Sequence, residues 1–391
     1  MSTEPFQYGC YDALPERLEL LCQQVDHKIE ETIASLQQDG PECEHPLMNR
    51  IYRWMRHYLD SGGRRMHGMT VALAYRACGG ESEDSAMEIA AAMQIYHHHT
   101  LVHDDIYDED RSRRGWPSTH EAFAGLFDPA SSANSRLFVS GALRHGTITA
   151  FAYGKICRAL ASHMILTSTF PAEARLAVAK ALDWHDLYDN AAQLKDVDFE
   201  GTAMPNPQTC LQNAWLKTGR LFEVCAFAGA RLAWASDSQR RAVEAWAGQS
   251  SLAYQLKDDL EDLEADSEKG RGRGVATDLL YCKPTYLYAK AREMASKHDR
   301  ETLDCWQSGE RTGIEESDII AILYHSGAVE ACHIEIRRCI DRATDALQKA
   351  EPTLRVETVD EMHEYSEYFV SPGYWRRPIA IDERRAFALL V

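Results

Sequence analysis

The chain has 391 residues, of which 45% are hydrophobic and 26% charged, and carries a formal charge of -18. That length and apolar content support a large buried core; the acidity, with no stripe that interleaves basic and aromatic residues, excludes nucleic acid as a partner. Eleven cysteines with neither a CxxC pair nor zinc-like spacing read as reduced thiols. With no basic start followed by an apolar run at the N-terminus, and no apolar segment approaching ~18 residues, they predict a cytoplasmic protein without a signal peptide or a membrane span.

Leu14, Leu18, Leu21, Val25, Ile29, Ile33 and Leu36 recur at spacings of three and four, the period of an amphipathic helix, and Asp39-Gly40-Pro41 stops it. A second helix through Ile51, Met55 and Leu59 ends at Ser61-Gly62-Gly63, and a third starts at Met66. Further helices are predicted near 84–113, 140–165, 171–198, 209–233, 236–264, 283–296 and 316–349, with Gly, Pro, Asp or Asn at the breaks. Strand-like alternation bounded by turn residues and βαβ patterns are absent, so the class is all-α. Loops are expected at 127–135, 201–208 and 265–274. The last of these, Asp266-Ser267-Glu268-Lys269-Gly270-Arg271-Gly272-Arg273-Gly274, reads either as a solvent loop or as a basic lid. No linker divides the middle of the chain, which predicts one domain over 1–350, with 351–391 an extension of unassigned role.

The stretch His97 to Gly115 carries the densest chemistry. Asp104 and Asp108 are four residues apart and share a helix face, with Asp105 beside them. Such a cluster repels itself unless a hard, oxygen-seeking cation joins it. Arg113 and Arg114 follow closely and suit an anion brought in with the metal. One acidic run by itself is usually a solvated helix face, but Gln255, Asp258, Asp259 and Asp262 repeat the pattern in a second apolar helical context. Two carboxylate walls imply a pocket between them and a phosphate-bearing substrate. His97, His98, His99 and His103 suggest zinc, since His99 and His103 are spaced four apart; the absence of HExxH and the neighbouring aspartates favour the hard ion. His98 and His103 read instead as packed helix residues, and Trp54, Trp184, Trp215 and Trp246 as core or interface.

Taken in order, Asp104-Asp105-x-x-Asp108-x4-Arg113-Arg114-Gly115, Lys217-Thr218-Gly219, Gln255-x-x-Asp258-Asp259-x-x-Asp262 and Asp278-x4-Lys283-Pro284-Thr285 resemble the trans-isoprenyl diphosphate synthases over about 62–284. The resemblance implies an antiparallel helical bundle of the isoprenoid synthase type around a deep central cavity, in a homodimer. It also implies Mg²⁺, three ions per site once diphosphate is bound. Asp104, Asp108 and Asp258 would coordinate the ions, with Asp105, Asp259, Asp262 and Gln255 in or near that shell. Arg113, Lys217, Thr218 and Lys283 would hold the allylic diphosphate, with Arg273 where a lysine is usual.

For the second substrate, isopentenyl diphosphate, the family's Gly-Gly-Lys-Arg-x-Arg-Pro reads here Gly62-Gly63-Arg64-Arg65-Met66-His67-Gly68. Arg64, Arg65, His67, His97 and Arg114 fall at its positions, but His67 stands for an arginine and offers a weaker, pH-dependent cation without a fork. Gly146-Thr147 replaces the more usual Gly-Asp. His99 lies where a large aromatic shortens the product, and its intermediate size leaves product length open. The implied reaction is ionisation, condensation and elimination to a longer trans-prenyl diphosphate, geranylgeranyl diphosphate first and farnesyl diphosphate next. The alternatives are a class I terpene cyclase on the same fold, which loss of the Gly-Gly-Lys-Arg-x-Arg cations would mark, and a non-catalytic subunit of a heteromeric synthase, which has little reason to keep two metal walls.

Overall fold

The structure, a computed structural model, describes residues 14–60, 62–114, 116–128, 137–199, 204–264, 279 and 282–371, and of residues 58–60, 261, 262 and 264 the backbone alone. The expected lid at 265–274 with Arg273, Asp278, Gly115 and the tail from 372 lie outside the described residues. The fold is all-α, and among the described residues the only strands are the two two-residue strands of one hairpin. Helix α1 (Glu16–Asp39) shows why: Leu18, Leu21, Val25, Ile29 and Ile33 are all buried, and the Gly40 N–H donates to the Leu36 carbonyl at its end (3.0 Å).

The chain forms two compact units. The first spans residues to Ala72 and Ser82–Arg175, and holds α1, α2 (Pro46–Asp60), the start of α3 (Met66–Ala77), α4 (Glu83–Tyr107), strands β1 (Ser112–Arg113) and β2 (Trp116–Pro117), α5 (Thr119–Ala124) and α6 (Gly141–Thr167). Helix α4 packs against α6 and α1, and α5 against α6. The backbones come close enough at two glycines to exclude a side chain: a Cβ on Gly146 would run into the His120 carbonyl, and one on Gly154 into the His103 ring.

The second unit spans Leu73–Glu81 and Leu176–Tyr374. It holds most of α7 (Ala172–Phe199), α8 (Pro207–Ala214), a π-helical turn at Trp215–Gly219, α9 (Arg220–Leu232) and α10 (Asp237–Glu264). After these come α11 (Tyr286–Met294), α12 (Lys297–Gln307), α13 (Glu316–His325), α14 (Ala328–Gln348) and α15 (Val356–Phe369). Helix α10 packs along α14 and α9, with Leu256, Leu260, Leu287, Ile336 and Ile340 in the core. Residues after 351, unassigned from sequence, supply α15, whose Tyr365 packs on Trp246 (5.4 Å between rings) while the Trp246 indole donates to Ser366 Oγ (2.8 Å). Among the described residues no single helix is long and apolar enough to cross a membrane.

Three expected helices are corrected. The one over 84–113 stops at Tyr107, because Asp108 leaves helical geometry (φ -87°, ψ 1°) in a run of like charges at the negative helix end. The one over 209–233 is interrupted by the π turn. The one over 316–349 breaks at Gly327, whose φ of 84° is left-handed. The two-residue strands are too short for alternation to register.

Candidate active site

In the first unit the acidic motif closes helix α4. The Asp108 N–H donates to the Asp104 carbonyl (2.8 Å), so Asp108 is the cap of the helix whose last turn carries Asp104 and Asp105. The carboxylates therefore gather at the negative end of the macrodipole, a placement that calls for cations. The β1–β2 hairpin returns one: Arg113 Nε donates to Asp105 Oδ1 at 2.6 Å, and its Nη2 lies 3.7 Å from Asp104 Oδ2. Burial pushes the Asp105 carboxyl up to about 6, against the pull of Arg113, and Asp105 is 2% exposed. Burial also works against the Arg113 charge, yet Asp105 and Asp104 outweigh it and hold the guanidinium protonated above its usual range. Asp104 and Asp108 stay half-exposed. Asp105 therefore orients Arg113, and Asp104 and Asp108 are the oxygens within reach of a ligand.

The hairpin is held from beneath. His57 is buried between Trp54 and Trp116, with ring centroids 4.6 and 4.2 Å away, and burial lowers its imidazole to about 4, so it packs as a neutral ring. Trp54, Trp116, Asp105, Arg113 and Arg114 border a cavity of about 40 Å³, room for a water. The other histidines of the cluster have local partners: His98 Nε2 meets the Tyr153 hydroxyl at 2.6 Å, and the His103 ring packs on Phe151 at 4.8 Å.

A second cationic set surrounds the Gly62-Gly63 turn. Both glycines have positive φ (85° and 106°), and a Cβ on Gly63 would strike the Arg114 guanidinium. Arg114 Nη1 donates to the Gly62 carbonyl at 2.6 Å. Arg114 and Arg65 themselves adopt left-handed backbone (φ 53° and 50°), a strain that persists where its surroundings enforce it. Arg64 is half-buried. The His67 and His97 rings stack at 3.9 Å with 30° between planes. Arg65 departs from its expected role: it is 1% exposed, ion-paired with Asp26, and donates to the Gly62 and Gly63 carbonyls (3.1 and 2.9 Å). It fastens the turn from inside rather than facing a ligand.

In the second unit a hydrogen-bonded chain runs through the expected residues. Gln255 Nε2 on α10 donates to Asp259 Oδ1 (3.0 Å), and Gln255 Oε1 accepts from Thr218 Oγ1 (2.8 Å). Thr218 and Lys217 sit in the π turn, a device that widens a helix locally and is frequent at functional sites. Lys217 Nζ pairs with Asp196 Oδ2 at 2.6 Å, and Asn213 donates to the other Asp196 oxygen. Asp258 and Lys283 are half-buried; the Asp262 side chain, like Arg273, lies outside the described residues.

Asp196 is a residue that sequence reasoning missed, although Gln193-Leu194-Lys195-Asp196 on α7 repeats Gln255-Leu256-Lys257-Asp258 on α10, a signal that could have found it. Glu223 is another: it accepts from Trp215 Nε1 (2.7 Å), tying the π turn to α9, and burial pushes its carboxyl up to about 7. Its folded pKa lies above the unfolded one, so the stability it contributes is complete below the unfolded value and is lost as pH rises through about 7. Glu223→Gln, which keeps the acceptor, is expected to match the wild type in thermal midpoint near pH ~4 and to exceed it near pH ~8.

Comparisons with known proteins identify the family. The polyprenyl synthetase family model matches residues 48–322. The chain belongs to the polyprenyl synthetase family. It is 28% identical over 324 residues to a geranylgeranyl pyrophosphate synthase of Geoglobus acetivorans, covering 83% of this chain and 89% of that one. It is 28% identical to an all-trans-nonaprenyl-diphosphate synthase of Rhodobacter capsulatus, covering 75% and 81%. A geranylgeranyl pyrophosphate synthase from Corynebacterium glutamicum, complexed with isoprenyl diphosphate and magnesium, superposes with a TM-score of 0.73 at 18% identity, covering 92% of this chain and 99% of that one. This polyprenyl synthetase is a trans-prenyltransferase of isoprenoid biosynthesis, and its fold is the all-α isoprenoid synthase fold.

Proposed function

We propose that this polyprenyl synthetase condenses isopentenyl diphosphate with dimethylallyl, geranyl or farnesyl diphosphate, using Mg²⁺, to geranylgeranyl diphosphate. The observation that carries this reading is that Arg113 is held on the first acidic set through Asp105 and Lys217 is held in place by Asp196, with a separate cation set at Gly62-Gly63 in the first unit. The donor chemistry fits Mg²⁺. Among the described residues no three His, Cys, Asp or Glu side chains form a closed metal cage; Mg²⁺ favours one or two carboxylates together with phosphate oxygens and water. Asp104, Asp108 and Asp258 are the residues that would hold it, with Asp105, Asp259 and Asp262 in or near that shell. When bound, Mg²⁺ supplies positive charge against the departing diphosphate.

The chain's own residues do the rest. Arg113, aimed by Asp105, and Lys217, aimed by Asp196, are the cations for the allylic diphosphate, and Thr218, Lys283 and Arg273 are the further residues that the motifs assign to it; the charge that develops as the allylic C–O bond breaks is stabilised without reorganisation. Arg64, Arg114, His67 and His97 hold isopentenyl diphosphate so that its double bond meets the allylic cation. A proton is then lost to the released pyrophosphate. The apolar stripe exposed on α7, with Leu176 (51%), Trp184 (57%), Leu187 (61%) and Leu194 (71%), supports a homodimer. Free cysteines throughout the described residues support the cytoplasm.

One other reading has an observation in its favour. With Arg65 turned to Asp26 and His67 in place of an arginine, the second cation set is thinner than the motif implies, as it would be in a cyclase that ionises one allylic diphosphate. Purified protein given Mg²⁺ and dimethylallyl, geranyl or farnesyl diphosphate, with and without isopentenyl diphosphate, separates the two. The expected result is a lengthened prenyl diphosphate formed only when isopentenyl diphosphate is present. Hydrocarbon from the allylic diphosphate alone, with isopentenyl diphosphate never consumed, would sink the proposal.

A further inference from the structure

The stacked His67–His97 pair belongs to the cation set proposed for isopentenyl diphosphate, and any role for it rests on that reading. His67, on α3, is 5% exposed, and its ring lies 3.9 Å from the half-buried ring of His97 on α4. Among the described residues, the groups that act on His97 are His67 from α3, Arg113 and Arg114 from the hairpin, and His98 from its own helix, each cationic or neutral. Thr100 Oγ1, 3.4 Å from His97 Nδ1, is the hydroxyl beside the pair. Two imidazoles in contact cannot both hold a proton among guanidinium groups unless an anion joins them. Burial first, then His67 and Arg114, hold His97 well below its usual range, so that ring is neutral in the empty site.

We infer that the His67–His97 pair takes up a proton from solvent when the diphosphate of isopentenyl diphosphate binds, so that part of the cation recognising the second substrate exists only in the complex. A fixed arginine at position 67 would offer its charge to any anion and would repel Arg113 and Arg114 in the empty site. A titrating ring responds instead to the amount of negative charge delivered, which favours a diphosphate over a monophosphate. The proton goes to a ring nitrogen and no bond in the substrate changes.

The test is calorimetric titration of the full chain with isopentenyl diphosphate, with a chelator present so that the metal-binding carboxylates take no part. Repeating it in buffers of different ionisation enthalpy gives the net protons taken up. The ligand's own proton balance is common to wild type and His67→Arg and cancels between them. The wild type is expected to take up about one proton more per ligand, and its affinity to fall about tenfold per pH unit between the titration of the free pair and that of the complex, while that of His67→Arg stays flat over the same window. His97→Gln, which keeps a polar group but cannot titrate, is expected to lose the same proton and decides the matter if the larger arginine prevents folding. Equal proton counts with binding retained in every form would overturn the inference and leave the function intact. No binding of isopentenyl diphosphate to any form would overturn the condensation reading and this one together.

Discussion

Asp104→Ala and Asp258→Ala are each expected to lower kcat by about 10³-fold or more while moving the thermal midpoint little, because the several kcal/mol a metal supplies to a departing diphosphate is lost with its ligands. Asp104 is half-exposed at the negative end of α4 beside Asp105 and Asp108, and Arg113 reaches it only at 3.7 Å. Removing it relieves local repulsion and opens no cavity, so a stability change within about 0.5 kcal/mol is expected. Asp105 provides the contrast. It is buried and accepts from Arg113, so Asp105→Ala leaves the half-buried Arg113 guanidinium without its nearest counter-charge and is expected to lower stability as well as rate. Single-turnover rates with an allylic diphosphate and Mg²⁺, alongside melting curves, distinguish the two behaviours. A near-normal rate in Asp104→Ala would remove the metal assignment; a melting loss equal to that of Asp105→Ala would make Asp104 a packing residue.

How much of this was legible in the chain depends on whether the deciding contact is local. The helical class, the ends of α1 and α2 and the buried stripe of α1 follow from three-and-four spacing and from Asp39-Gly40-Pro41. So does the pairing of two acidic motifs, since each is a pattern within eight residues. The hairpin that folds Arg113 back onto Asp105 was not legible: helical periodicity continues through Asp108 to Arg113, and only the like charges at the helix end stop it. The π turn at Trp215–Gly219 was equally hidden, since one extra residue in a turn leaves the apolar spacing almost unchanged. Asp196 and Glu223 act through contacts 21 and 8 residues away, with Lys217 and Trp215; Asp196 carries a local signal, the repeat of Gln255-Leu256-Lys257-Asp258 at Gln193-Leu194-Lys195-Asp196, and Glu223 carries none. Arg65 shows the reverse failure, for it matches its motif by position while its side chain turns inward to Asp26, 39 residues earlier.

That inward turn makes Arg65 the position where stability and substrate binding part most clearly. Arg65 and Asp26 form a buried ion pair with side chains 0% and 7% exposed, and Arg65 also donates to the two carbonyls of the Gly62-Gly63 turn. Burial pushes the Asp26 carboxyl up while Arg65 draws it back down, which marks a pair whose desolvation its own attraction must offset. Removing one partner of such a pair leaves a buried charge, so Asp26→Leu or Arg65→Met alone is expected to cost about 3–5 kcal/mol. Replacing both removes the two desolvation costs together, and the double variant is expected to recover most of that loss. Chemical denaturation of the four proteins measures the coupling directly. The apparent KM for isopentenyl diphosphate in the double variant carries the second half of the argument. It should rise only as far as a loosened Gly62-Gly63 turn shifts Arg114, because Arg65 faces Asp26 rather than the ligand. If instead the single variants fold as stably as the wild type and Arg65→Met raises that KM about a hundredfold, Arg65 swings out to the diphosphate. The motif position, not the buried pair, would then describe its work.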